Sequence, residues 1–310
     1  MNFHLVSIPT KTNFRGINHR EVVLFEGTEG WSEFSPFLEY SAAEARTWFT
    51  ASLEAANTPW PSVFRDRVEV NATLPNVIPS RVPEILAAFP GCKTVKIKVG
   101  DYETGSQLVA ATLDFLPQAH IRLDVNGSWT VEEAISYLSQ YRQRFGDVFE
   151  YIEQPVASTA DLARLKKDVN IKIAVDESIR KDLHGHMELL RNVADVAIIK
   201  WQPIGGFTAA HDVAERIGLP AVISSALETG IGISHCAALA ASFEDLNYAC
   251  GIGTVALLES DICTPSLTPQ NGYIPVARVE PNMELVDKYR ASDERYEWWQ
   301  NRIREIGGDL

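Results

Sequence analysis

The chain has 310 residues, 45% apolar and 22% charged, a balance that suits one large core with a smaller layer attached and argues against extended disorder. Its formal charge of −13 and lack of clustered Lys and Arg speak against a nucleic-acid partner, so an anionic substrate must be steered by local charge. No apolar run approaches the roughly 20 residues of a membrane span. The amino terminus has no basic-then-apolar leader, and Cys92, Cys236, Cys250 and Cys263 form no C-x-x-C pair, so the expectation is a reduced, cytoplasmic protein with no membrane partner.

Along the chain, residues 2–8, 21–27 and 31–36 read as short strands, the last two joined by the turn-rich Gly27-Thr-Glu-Gly30. Ser41-Ala-Ala-Glu44 has the form of a capping box and opens a helix running to about Ala56. Pro59, Pro61, Pro75, Pro79 and Pro83 then mark a passage between units over 57–93. From Lys93 onward strand and helix signals alternate. Strands are expected near 94, 121, 149, 171, 194, 220 and 247, and helices over 103–115, 131–144, 158–168, 182–192, 206–217 and 230–243. The strands are rich in Val and Ile, as where helices cover a parallel sheet. His184-Gly-His186, the one close histidine pair, reads as a solvated helix start rather than a metal site. The tail from about 270 ends in a charged, aromatic stretch in which Trp298 and Trp299 predict an amphipathic helix packed back on the body.

Chemistry concentrates at the ends of five apolar runs. These read Thr94-Val-Lys-Ile-Lys98, Ile121-Arg-Leu-Asp124, Phe149-Glu-Tyr-Ile-Glu153, Ile171-Lys-Ile-Ala-Val-Asp176 and Ala194-Asp-Val-Ala-Ile-Ile-Lys200. From Lys98 to Asp124, Glu153, Asp176 and Lys200 the intervals are 26, 29, 23 and 24 residues, the length of a strand, a helix and two loops, which is the beat of a TIM-type α/β barrel with its chemistry at strand C-terminal ends. The predicted layout is a modified (β/α)7β barrel over 91–270, an α+β cap over 1–90, and a segment over 271–310 returning to both.

Three converging carboxylates repel one another and call for a cation. With no Cys or His on offer, a hard ion such as Mg²⁺ fits better than Zn²⁺. An ordinary lysine is a poor base at neutral pH, but burial and a like-charged neighbour favour its neutral form, so in the Lys96/Lys98 pair one amine can exchange protons while the other holds charge. Removing a proton beside a carboxylate creates an enediolate that needs strong local positive charge, which the metal and these lysines would supply. Ser224-Ser-Ala-Leu-Glu-Thr-Gly230 and Cys250-Gly-Ile-Gly253 are glycine-rich turns suited to a substrate carboxylate. Gly251-x-Gly253-x-x-Ala256 matches a dinucleotide fingerprint in letters only, because Asn271 stands where an acid is required.

These residues resemble the enolase superfamily, in the branch with Lys-x-Lys on the second barrel strand and Lys on the sixth that includes muconate cycloisomerases, dipeptide epimerases and o-succinylbenzoate synthases. The segments Phe14-Arg-Gly-Ile17, Arg20-Glu21, Gly30-Trp-Ser-Glu-Phe-Ser-Pro-Phe37, Ser225-Ala-Leu-Glu-Thr-Gly-Ile-Gly232 and Trp298-Trp299 are similar to the short o-succinylbenzoate synthases of actinobacterial type. Ser32, where that group usually has Gly, and Val125, where Ala is common, depart from the pattern without touching a candidate ligand. The resemblance implies a hydro-lyase: syn dehydration of 2-succinyl-6-hydroxy-2,4-cyclohexadiene-1-carboxylate toward menaquinone. It implies Lys98 as base and then acid, Lys200 as electrostatic stabiliser and Lys96 as support. Asp124, Glu153 and Asp176 would bind Mg²⁺, or Mn²⁺ in its place. Arg122, Ser225 and Gly251 are implied substrate contacts, and Arg15 closes the pocket.

Two rival enzymes use the same residues differently. An N-succinylamino acid racemase or dipeptide epimerase would use Lys98 and Lys200 as two bases, although the acidic motif usual in dipeptide enzymes is replaced here by Gly-Ile-Gly. A Schiff-base aldolase would use Lys200 covalently. The partner is a small-molecule carboxylate; no signal fixes the oligomeric state, and a monomer is compatible with the sequence.

Overall fold

Two packing problems shape the chain, a twisted hairpin that needs a cover and a curled parallel sheet that needs helices on its outer face. Residues 3–308, apart from Asp182, His184 and His186, are described by a computed structural model. The histidine pair therefore lies outside the described residues.

The cap begins with β1 (His4–Phe14), β2 (Ile17–Gly27) and β3 (Gly30–Phe34), an antiparallel sheet in that order. The β2–β3 hairpin falls where expected. The first strand runs past the expected 2–8 as far as Phe14, because Arg15 and Gly16 both take positive φ (54° and 82°), the geometry of a tight hairpin turn. Arg15 thus sits at a hairpin tip. Helix α1 (Ala42–Asn57) carries the expected capping box between Ser41 and Glu44 and buries Trp48 and Phe49 on the sheet.

The barrel sheet starts earlier than the proline-marked passage suggests. After β4 (Arg67–Glu69), strand β5 (Ala72–Leu74) already pairs in parallel with the strand beyond the short helix α2 (Val82–Leu86). The alternation then runs β6 (Thr94–Lys98), α3 (Tyr102–Phe115), β7 (His120–Asp124), α4 (Val131–Phe145), β8 (Phe149–Glu153), α5 (Thr159–Asp168), β9 (Ile173–Val175), α6 (Glu177–Arg180), β10 (Val196–Lys200), α7 (Trp201–Ile204), α8 (Phe207–Ile217), β11 (Ala221–Ser224) and α9 (Gly230–Ala241). Of the helix expected over 182–192, Met187–Asn192 forms a 3₁₀ helix, a tighter turn that suits a short connector.

Strands β5 to β11 form one seven-stranded parallel sheet in sequence order. No regular strand forms near 247. Instead Cys250 bridges to Val70 and Gly251 to Ser224, in parallel, linking the two sheet edges. A Cβ on Gly251 would meet Ser224 Oγ at 2.8 Å, so glycine permits this close approach. Val95 and Ile97 join the large core while Lys96 and Lys98 face inward, as the period of two requires.

The tail supplies β12 (Tyr273–Pro275), antiparallel to β4, then α10 (Met283–Lys288) and α11 (Asp293–Glu305). Helix α11 packs on the cap. Trp299 is fully buried, its ring centroid is 5.6 Å from that of Phe34, and its indole N–H donates to Glu21 at 2.7 Å.

Candidate active site

Register brings the charged residues into one row. Lys98 pairs in sequence register with Asp124, and Asp124 with Glu153, across β6, β7 and β8, each as the last residue of its strand. Asp176 directly follows β9, and Lys200 ends β10. Lys96 Nζ stands 3.1 Å from Asp124 Oδ2 and 3.1 Å from both Glu153 oxygens. Lys98 Nζ lies 2.5 Å from Asp124 Oδ2 and donates to Asn126 Oδ1 at 2.9 Å, and Lys200 Nζ donates to Asp176 Oδ2 at 2.6 Å. All three acids are buried.

Burial alone would strip charge from this cluster, and neighbouring charges decide otherwise. Desolvation works against the Lys96 ammonium, but Glu153 and Asp124 outweigh it and hold its pKa above the ordinary lysine value. The carboxylates, not the neighbouring lysine, thus set its charge. Asp124 is driven below the usual range despite burial, by Lys98 and Lys96, and Asp176 likewise by Lys200 and Arg180. Glu153 behaves differently. Burial and the Asp124 charge work against its carboxylate, and Lys96, 3.1 Å from both its oxygens, works for it. An ammonium at that distance in a buried site favours the ionised pair.

Asp124 Oδ1 receives no hydrogen bond, while Oδ2 meets the Lys96 and Lys98 ammonium groups. A buried carboxylate oxygen left unpartnered, in a set without Cys or His, fits a hard divalent cation. As the side chains stand, ammonium groups take the space between the acids, and among the described residues no three His, Cys, Asp or Glu side chains converge as a metal cage.

Above the row lies a pocket of about 560 Å³ including its open mouth. Lys96, Lys98, Lys200, Ser225, Gly251 and Arg15 all line it. Arg15 reaches it from the cap, with its guanidinium 4.4 Å from the Phe37 ring centroid. The Ser225 hydroxyl donates to Gly251 O at 2.9 Å and is 2.7 Å from Thr254 Oγ1.

Arg122 lies apart from the other expected contacts. It faces the barrel interior as alternation requires, but two residues below Asp124, or about 6.6 Å deeper, and it is not part of the pocket lining. Its guanidinium bonds Glu150 at 2.5 Å, Asn71 at 2.9 Å and Ala249 O at 2.7 Å, and lies 4.7 Å from the Tyr151 ring centroid. It plugs the barrel. Two pocket residues escaped the sequence reading as contributors. Asn126, at φ 54°, holds Lys98 Nζ, and Arg180 pairs with Glu177 at 2.8 Å and Asp176 at 3.5 Å. The position of Arg180 at i+4 from Asp176 on a short helix was the available signal.

The described residues contain no helix long and apolar enough to cross a membrane, and all four cysteines are free and buried.

Known proteins resemble the chain at both levels. The Enolase C-terminal domain-like family matches residues 84–281 and the Enolase N-terminal domain-like family residues 5–56. An o-succinylbenzoate synthase of Mycobacterium bovis is 40% identical over 97% of this chain and 92% of its own length, and one of Mycolicibacterium smegmatis is 39% identical over 97% and 93%. Muconate lactonizing enzyme from Pseudomonas fluorescens, complexed with muconolactone, superposes with a TM-score of 0.78 at 19% identity, covering 94% of this chain and 98% of its own. The L-Ala-D/L-Glu epimerase from Bacillus subtilis gives 0.76 at 21%, covering 91% and 96%. Those two share the fold, and the mycobacterial relatives narrow the choice within it: the chain belongs to the o-succinylbenzoate synthase family of the enolase superfamily.

Proposed function

We propose that this chain is a cytoplasmic, Mg²⁺-dependent hydro-lyase that dehydrates 2-succinyl-6-hydroxy-2,4-cyclohexadiene-1-carboxylate to o-succinylbenzoate on the route to menaquinone. The observation that carries this reading is the in-register row of Lys98, Asp124 and Glu153 at one rim of the barrel, in a chain of this family. Asp124, Glu153 and Asp176 would hold Mg²⁺, which when bound supplies positive charge to the substrate carboxylate as negative charge develops there.

The chain's own residues account for the proton. Lys98 Nζ takes the proton from the ring carbon beside the carboxylate, leaving its electron pair delocalised into that group. Breaking the C–O bond of the neighbouring hydroxyl then draws the pair back into the ring, which becomes aromatic. Lys98 passes the same proton to the departing hydroxyl, so water leaves and the amine is restored, a same-face elimination. Strands β6 and β10 stand four places apart in the sheet, which supports Lys200 acting from the side opposite Lys98. Desolvation opposes the Lys200 ammonium but Asp176 keeps its pKa above the ordinary value, in keeping with a charge stabiliser. Lys96, held by two carboxylates, adds fixed positive charge below. Ser225, Gly251 and Arg15 would contact or enclose the substrate.

The test is a side-by-side assay of this dehydration and of racemisation of an N-succinylamino acid. The reading expects dehydration to have the higher kcat/KM, whereas racemisation dominating by tenfold or more (about 1.4 kcal/mol) would give the chain to the racemase alternative.

A further inference from the structure

Away from the proton-transfer residues, three ionisable side chains are almost wholly buried where the cap meets the barrel: Arg20 on β2, Glu33 on β3 and Glu228 in the loop between β11 and α9. Arg20 reaches across the joint. Its Nε donates to Leu227 O at 3.0 Å and its Nη2 to Ala226 O at 3.3 Å, while Nη2 also donates to Ser35 O within the cap. Its guanidinium lies 4.4 Å from the centroid of Phe37, which lines the pocket together with Ser225 and Ala226. Glu33 makes the reverse crossing, accepting from the backbone N–H of Thr229 at 3.1 Å and of Gly232 at 3.0 Å. Glu228 accepts from the Ala226 N–H, and its Oε1 has no hydrogen-bond partner.

The loop so gripped is strained, with Leu227 at φ 66°. A branched-chain residue keeps such a conformation only where its surroundings impose it. Space is reserved for the grip as well. A Cβ on Gly232 would come within 2.6 Å of Glu228 Cγ and 2.7 Å of Glu33 Cδ, so glycine leaves room for both acids.

We propose that Arg20, with Glu33 and Glu228, is a positioning residue that sets the Ser225–Leu227 wall and the Phe37 ring over the pocket, so that substrate affinity depends on this cap–barrel joint. It touches neither the proposed base nor the acids of the row, so its effect falls on binding rather than on proton transfer. The inference rests on the proposed function for its substrate.

The experiment is Arg20→Lys, which keeps a charge but loses the fork that spans three carbonyls. Losing hydrogen bonds to a buried charged group of this kind raises KM by about tenfold or more, with kcat within about threefold of the parent. Amide hydrogen exchange adds an arm that needs no substrate: the N–H groups of Ala226, Thr229 and Gly232 exchange at least about tenfold faster, while those of α3 and α4 do not change. Glu228→Gln, of the same size, moves both readings in the same direction and serves if Arg20→Lys does not fold. Unchanged KM in the folded variants, a fall in kcat at constant KM, or unaltered exchange in the loop overturns the proposal. Failure of the parent enzyme to dehydrate the substrate counts against the proposed function, and the exchange arm still decides the joint.

Discussion

At the scale of single residues, depth along a strand decides role. Lys98 and Arg122 both point into the barrel, yet one meets the pocket and the other is sealed beneath it. Lys98→Ala is expected to cut kcat by about 10³-fold or more while calorimetry still finds Mg²⁺ binding, since no proposed ligand is removed. Substantial turnover in that variant would remove Lys98 as the base. Arg122→Met is expected to do the opposite. It leaves Glu150 and Asn71 without their partner and costs about 3 kcal/mol of stability, read as a lower denaturation midpoint, while kcat per folded molecule holds. A large kcat loss at unchanged stability would return Arg122 to the substrate. The spacing from Lys98 to Lys200 was legible because strand and helix lengths repeat. Arg122, expected to contact substrate, lies outside the pocket lining, because alternation reports a face and says nothing of depth. The Arg20, Glu33 and Glu228 joint lay within segments visible in the sequence, but Glu33 and Thr229 meet across 196 residues, and no local period reports such a contact.

Among the elements, local chemistry predicted best where it closes on itself. The Ser41–Glu44 box and the helices from α3 to α5 begin within a residue of expectation because caps and amphipathic periods are short-range. The strand expected near 247 became two bridges at Cys250 and Gly251, since a segment pressed against Ser224 cannot carry side chains on that face. Ser41→Ala is expected to cost about 1 kcal/mol, and Trp299→Ala about 3–5 kcal/mol, because that indole fills the cap core and bonds Glu21. Urea unfolding measures both. Equal, negligible losses would mean that α1 and α11 are not fixed by these contacts.

For the whole molecule, the buried joint couples stability to pH. Burial, then Glu228, raise the Glu33 pKa from an ordinary 4.5 to about 7. The folded chain therefore keeps this proton to higher pH than the unfolded chain, unfolding releases it between those values, and stability falls as pH rises through the window. Glu33→Gln removes this dependence, so the parent should lose more stability than the variant between pH 5 and pH 8, by on the order of 3 kcal/mol. Identical pH slopes would place the Glu33 proton elsewhere. The row at the barrel rim combines acids that fit a hard cation with lysines that flank it. Its most direct test is the dehydration rate of the purified chain before EDTA, after EDTA, and after Mg²⁺ is restored. Activity is expected to vanish with the chelator and return with the ion, whereas an undiminished rate in EDTA would mean that no metal serves the row.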